Sequence, residues 1–258
     1  MYDPFLAICA AGLGAILGSF LNALSFRFNT GQGMGGRSHC MRCGHTLAAI
    51  DLVPIFSWLF LFGRCRYCKT RISAQYPLVE VLAAGLSVGV YVLHPTPLAY
   101  AVSLLVWLTI LFIVVYDMRH TVIPWSCSGT LVLLSLATIA LAWPPSFAAL
   151  YAGPLLALPL FLLSLVSMGR WMGWGDSAFE ISLGWLLGLS AGFTALLVAV
   201  WSGALVGILL MLFSSIPWKS GGKRFTMKNE IPFAPFLAFG AFLVYFFHVN
   251  FFSSLSLF

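Results

Sequence analysis

Residues 4–26 read PFLAICAAGLGAILGSFLNALSF, a run without one charged side chain. A bilayer core of about 30 Å takes roughly 20 helical residues, so the run is long and apolar enough to cross as one helix. Asp3 precedes it and Arg27 follows it. That is the reverse of the basic flank of a cleavable signal peptide, and a retained span is expected. The texture persists through the chain. Of 258 residues 61% are apolar and 8% charged, where an ordinary soluble domain has about 25% charged. So few charges cannot cover a water-exposed globule. A soluble enzyme, a disordered chain and a disulfide-rich secreted module are excluded, and the fold class expected is an all-α polytopic membrane protein.

Outward from the first run, apolar segments recur at about Tyr76–Leu93, Leu98–Tyr116, Trp125–Trp143, Ser146–Met168, Ser177–Leu189, Phe193–Ile216 and Ile231–Asn250. Proline, glycine and charge break the pattern between them. Pro154 and Pro159 should kink the fifth span, and backbone groups freed there need neighbouring partners. Seven Lys and Arg fall within Arg27–Arg71, then come Arg119, Arg170, and Lys219, Lys223, Arg224 and Lys228. These are alternate loops of an eight-span chain, so the positive-inside rule places them in the cytoplasm and both termini outside. The expected domains are 1–26, a first transmembrane helix; 27–75, a cytoplasmic zinc-binding loop; and 76–258, a seven-helix core.

The loop holds Cys40-Met41-Arg42-Cys43 and Cys65-Arg66-Tyr67-Cys68. Two such pairs offer four thiolates at tetrahedral corners, which suits Zn²⁺. With four cysteines no position stays open for a catalytic water, so a structural zinc is the preferred reading over a disulfide or redox pair. Arg42, Arg64 and Arg66 should favour thiolate. His39 and His45 read as polar neighbours, and Cys9 and Cys127 as small buried apolar residues.

Carboxylates are few: Asp3, Asp51, Glu80, Asp117, Asp176, Glu180 and Glu230. Asp117 ends the third span and Asp176 closes Gly173-Trp174-Gly175-Asp176 before the sixth. By the charge pattern both lie at the cytoplasmic edge. An acid at membrane depth is costly and points to function. Two on one face could share a proton and activate water between them. The plainer alternative is that each caps a helix or pairs with Arg119 or Arg170. Glu180 follows Asp176 by four residues and could tune it. Glu80 reads as an ion pair near Arg71, Asp51 as a loop-packing residue, and Glu230 as an acid at a helix start.

These motifs, in this order, resemble the prepilin peptidases, or type IV leader peptidases, over nearly the whole chain. The residues that carry the resemblance are Gly18-Ser19-Phe20-Leu21-Asn22 with Arg27, the two cysteine pairs, Pro54–Leu59, Tyr76–Glu80, Asp117 with Ile123-Pro124, Gly173–Asp176, and Glu230–Phe233 with Pro235-Phe236. The resemblance implies a GxGD-type intramembrane aspartic protease with Asp117 and Asp176 as the catalytic pair and Cys40, Cys43, Cys65 and Cys68 as zinc ligands. It implies removal of the basic leader from type IV prepilins or pseudopilins at the cytoplasmic face of a bacterial inner membrane. N-methylation of the new terminus from S-adenosylmethionine would follow, in a pocket between the Arg27–Gln75 loop and nearby helix ends. No nucleic acid is expected as a partner. The family's usual Lys and Leu after the second Asp are here Ala178 and Phe179, and Trp125 replaces a frequent acidic residue or Asn. A non-enzymatic alternative is a proton- or cation-coupled transporter using the two acids. A zinc protease is disfavoured because no HExxH occurs.

Overall fold

The computed structural model describes residues 3–29, 36–141, 147–170, 172–214 and 231–252. Its regular elements are helical: α1 Pro4–Arg27, a 3₁₀ turn Ala49–Leu52, α2 Phe56–Phe60, α3 Gln75–Leu93, α4 Pro97–His120, α5 Trp125–Leu141, α6 Phe147–Val166, α7 Trp174–Leu187, α8 Leu189–Ser214 and α9 Ala234–Phe247. Each expected apolar segment coincides with one helix. Five stretches are long and apolar enough to cross a membrane: Pro4–Arg27, Gln75–Leu93, Pro97–His120, Ala149–Val166 and Leu189–Leu212. Trp125–Leu141 and Ala234–Phe247 are shorter apolar helices, and α7 has 14 residues. The chain is thus a multi-pass helical membrane protein. Glu230 and the cationic residues 219–228 lie outside the described residues.

The helices gather into two compact units, Met1–Phe112 and Ile113–Phe258. In the first, Asp3 caps α1 by accepting the Phe5 N–H at 2.9 Å, with Pro4 opening the helix. Small residues at a four-residue spacing then lay α1 against α3. A Cβ on Gly14 would run into the Ala83 carbonyl and one on Gly18 would meet the Ala83 Cβ at 2.7 Å. One turn on, the buried Asn22 donates to the Tyr76 carbonyl at 3.1 Å, and near the other end Ser87 donates to the Ala10 carbonyl at 2.6 Å. Lipid offers no hydrophobic drive between helices, so close backbone approach and interhelical hydrogen bonds must hold the pair. Phe5, Ile8, Ile16 and Phe20 stay exposed on α1, as a lipid-facing surface should.

In the second unit α7 packs against α5, α6, α8 and α9. The α6–α7 crossing is a glycine contact, where a Cβ on Gly184 would meet the Gly153 Cα at 2.7 Å. Both Pro154 and Pro159 lie inside α6. Pro154 has no N–H to give the carbonyl four residues earlier, and that carbonyl, Leu150, accepts the Trp185 indole N–H at 2.9 Å. The freed backbone group has found a partner on α7. Trp185→Phe removes that donor, and we expect a loss of roughly 1–3 kcal/mol, read as a lower melting temperature in detergent. An unchanged melting temperature would mean the carbonyl does not need the indole.

Candidate functional site

The first candidate site is the cysteine loop. Its two knuckles have the same construction. The Gly44 N–H bonds the Cys40 carbonyl at 2.9 Å and the Lys69 N–H bonds the Cys65 carbonyl at 3.0 Å. Gly44 and Lys69 both take positive φ, 69° and 59°, so each turn curls its pair of thiols inward. A tetrahedron with metal–sulfur bonds of about 2.3 Å has sulfur–sulfur edges of about 3.8 Å. Cys40 and Cys68 Sγ are 3.8 Å apart, and all four ligand atoms lie within 4.8 Å of one another. The donor set and its spacing fit Zn²⁺. His39 and His45 stand outside the set, and the His45 ring rests on Tyr67 at 3.7 Å.

Two of the four thiols are acidified, by a different route from the arginine effect expected, whereas Cys43, despite the His45 backbone amide, is pushed up to about 11 by desolvation and the neighbouring Cys68 and Cys40 thiols. The Thr70 hydroxyl, then its backbone amide, bring Cys68 down to about 6. The Cys43 and Arg42 backbone amides lower Cys40. Short-range donors reach the sulfurs, while the Arg66 guanidinium is turned onto Asp51, Nε to Oδ1 at 2.6 Å. Cys127 is buried as expected, but Cys9 is exposed on the face of α1.

Asp51 ties the 3₁₀ turn to the second knuckle, receiving Arg66, the Ala48 N–H and the Tyr67 hydroxyl. Burial pushes its carboxyl up, but the Arg66 and Ala48 hydrogen bonds outweigh that and hold it below the usual range. A depressed carboxyl stabilises the fold above its unfolded value of about 4 and loses that contribution as pH falls through the lower, folded value. Asp51→Asn should therefore make the loop easier to digest at neutral pH, the difference shrinking in acid. Equal digestion of the two proteins at pH 7 would remove this role.

The second candidate site is the aspartate pair, held wholly within the second unit. Asp117 lies in the last turn of α4 and Asp176 in the first turn of α7, both buried. They are close enough that the charge of Asp117 acts on Asp176. A Cβ on Gly175 would meet the Ile123 Cβ at 2.7 Å, so only glycine lets the start of α7 lie against the segment just after Asp117. Each carboxylate spends one oxygen on a backbone amide. Asp117 Oδ2 accepts the Ala234 N–H at 3.2 Å, at the start of α9, and Asp176 Oδ2 accepts the Gly173 N–H at 3.1 Å. Accepting these backbone amides therefore does not exclude the two carboxylates acting on one another. Capping orients each carboxylate, and Oδ1 of each makes no hydrogen bond among the described residues. Glu180, one turn beyond, is buried, and neither its oxygens nor the Ser177 hydroxyl finds a partner among those residues.

The first unit also holds a cavity of about 350 Å³, walled by the ends of α1 and α3 and by the loop. Phe26 and Tyr76 stack at 5.5 Å on one wall, and Trp58, Arg27, Arg42, Arg71 and Glu80 join them in the lining. The volume falls within the usual range for small-molecule sites. Flat aromatic walls with guanidiniums nearby suit a purine linked to an amino acid, so the residues fit S-adenosylmethionine. Sequence reasoning anticipated a pocket here but not its central carboxylate. Glu80 makes no pair with Arg71. It accepts the Ile55 N–H at 2.7 Å and a hydrogen bond from Ser19. Only the folding of 54–58 back over α3 reveals this, since 25 residues separate the partners.

Fold and sites together define a multi-pass helical membrane protein with a four-cysteine loop and a buried aspartate pair. The Bacterial Peptidase A24 N-terminal domain matches residues 13–94. A prepilin leader peptidase/N-methyltransferase of Myxococcus xanthus is 35% identical over 227 residues, covering 82% of this chain and 65% of that relative. The protein of that name from Burkholderia pseudomallei is 32% identical, covering 84% of this chain and 69% of its own. The one from Pectobacterium carotovorum is 30% identical, covering 88% of each. No solved structure matches. The chain belongs to the prepilin leader peptidase/N-methyltransferase family of membrane enzymes.

Proposed function

We propose that the chain cuts the basic leader from type IV prepilins or pseudopilins at the cytoplasmic face of the bacterial inner membrane, then N-methylates the new terminus. The observation that carries the cleavage reading is the pair itself, two buried aspartates within electrostatic reach at the end of α4 and the start of α7. Two carboxylates a few Å apart in a poor dielectric cannot both ionise, so they share one proton. The ionised member takes a proton from water as the water attacks the scissile carbonyl carbon. The protonated member donates to the carbonyl oxygen. The amides of Ala234 and Gly173 keep both carboxylates aimed while this happens. The substrate helix must unwind locally, because a helical peptide bond hides its carbonyl carbon. Arg119 and Arg170, near the two ends that carry the pair, support the cytoplasmic side by the positive-inside rule, with both termini outside. Segment 27–75 would serve as the zinc-held loop and 76–258 as the peptidase core.

S-adenosylmethionine, when bound, supplies a methyl group activated by a sulfonium centre. The residues that would hold it are those lining the loop cavity, among them Phe26, Trp58 and Tyr76 for the base and Arg42 or Arg71 for the carboxylate. The transporter alternative gains nothing, since the relatives are enzymes by name and the cysteine loop has no place in it. The deciding experiment incubates purified protein with a leader–apolar-helix peptide and the methyl donor and weighs the products. One cut between the basic leader and the apolar helix, and a 14-Da increment on the mature fragment, are expected. An intact peptide would end the protease reading, and a cut but unmethylated fragment would leave a peptidase alone.

A further inference from the structure

The loop cavity has a wall that binding of a methyl donor does not explain. Glu80 stands in the second turn of α3, lines the cavity and is only 6% exposed. A carboxylate at membrane depth is costly to keep unless it meets a cation. The loop's described ion pair goes elsewhere, from Arg66 to Asp51. The structure instead works to aim Glu80. Ile55 is held at φ 64° and ψ −55°, a backbone state that a β-branched residue avoids, and in that state its N–H meets Glu80 Oε2 at 2.7 Å. Strain of this kind persists where the surroundings enforce it, often at a ligand clamp. Ser19, from α1, hydrogen-bonds the same carboxyl.

We propose that Glu80 receives the α-amino group of the newly cut polypeptide and holds it in the cavity for methylation. This rests on the methyl-transfer reading above. The assignment to the amine follows from the two ends of the cavity. The α3 wall carries Glu80, a buried carboxylate that suits a cation. The loop wall carries Arg42 and Arg71, which suit an anionic group rather than a second cation.

An ammonium has no lone pair to attack with. One N–H proton passes to a Glu80 oxygen. The freed pair forms the nitrogen–carbon bond as the bond between the methyl carbon and the sulfonium sulfur breaks. That bonding pair stays on sulfur, which becomes a neutral thioether. The methylated nitrogen carries the positive charge, and the proton on Glu80 leaves to water. Glu80 thus binds the amine, orients it and takes its proton.

The test uses the full chain in detergent with two probes, an apolar peptide beginning with a free Phe amine and the same peptide N-acetylated. Wild-type protein should bind the free amine about tenfold tighter or more, the usual gain of a hydrogen bond to a charged group. Glu80→Gln can still accept the Ile55 N–H through its amide oxygen. It should bind both peptides alike, and its methylation rate should fall at least about tenfold more than its cleavage rate. Glu80→Asp should recover part of the amine preference, which a purely structural role would not do. Equal binding of the two peptides by wild-type protein would overturn the proposal without any variant having to fold. So would a Glu80→Gln protein that keeps the preference. Wild-type protein that prefers the free amine but yields no methylated product would support the amine site and overturn the methyl-transfer reading.

Discussion

Asp117→Asn and Asp176→Asn will each stop leader cleavage while leaving folding and metal content unchanged. Asparagine keeps a side-chain oxygen that can accept the Ala234 or Gly173 N–H now received by the aspartate, so the elements around the pair stay in place. What it cannot do is lose or gain the proton that the pair must share. Acid–base participation by a placed side chain is worth about 10²–10⁴-fold, and losing one member removes both the base and its matched acid. A fall of about a thousandfold or more is expected, read by mass spectrometry of a leader peptide. Asp51→Asn is the control, because Asp51 lies in the loop with Arg66 and Tyr67. Near-normal cleavage by either pair variant would sink the assignment. Gly175→Ala should reduce cleavage as well, since its Cβ would press on Ile123 and part α7 from the segment that follows Asp117.

Removing the metal should have the other large effect. Four thiolates on two short turns have little else to hold them, since the loop's described regular structure is one 3₁₀ turn, one five-residue helix and two isolated bridges. Structural zinc sites of this kind contribute roughly 10–16 kcal/mol to folding at neutral pH. Purified protein should carry one zinc. A strong chelator, or Cys65→Ser at the most buried ligand, should open residues 36–74 to trypsin and abolish methylation. Cleavage by Asp117 and Asp176 should suffer less, because neither residue belongs to the loop's compact unit. Protein without zinc that still resists trypsin would show the cysteines to be held by something else.

Much of this was legible from order along the chain. The uncharged runs, the alternation of basic loops and the helix breakers determined an all-helical membrane protein, because a bilayer demands long apolar helices and sorts charge by side. The paired spacing of Cys40, Cys43, Cys65 and Cys68 pointed to a four-cysteine cluster of a geometry that fits Zn²⁺, because a knuckle is local chemistry. Family motifs pointed to Asp117 and Asp176. Other features had no sequence signal. Asp117 caps α9 across 117 residues, Trp185 supplies the donor that Pro154 took from Leu150, and Asn22 ties α1 to α3. Glu80 looked like the partner of a nearby arginine and turned instead to the strained amide of Ile55. Period, charge and spacing are properties of neighbours in the chain, whereas a buried polar group is satisfied by whatever packing brings within about 3 Å. Which carboxylate meets which donor was therefore decided only when the helices closed on one another.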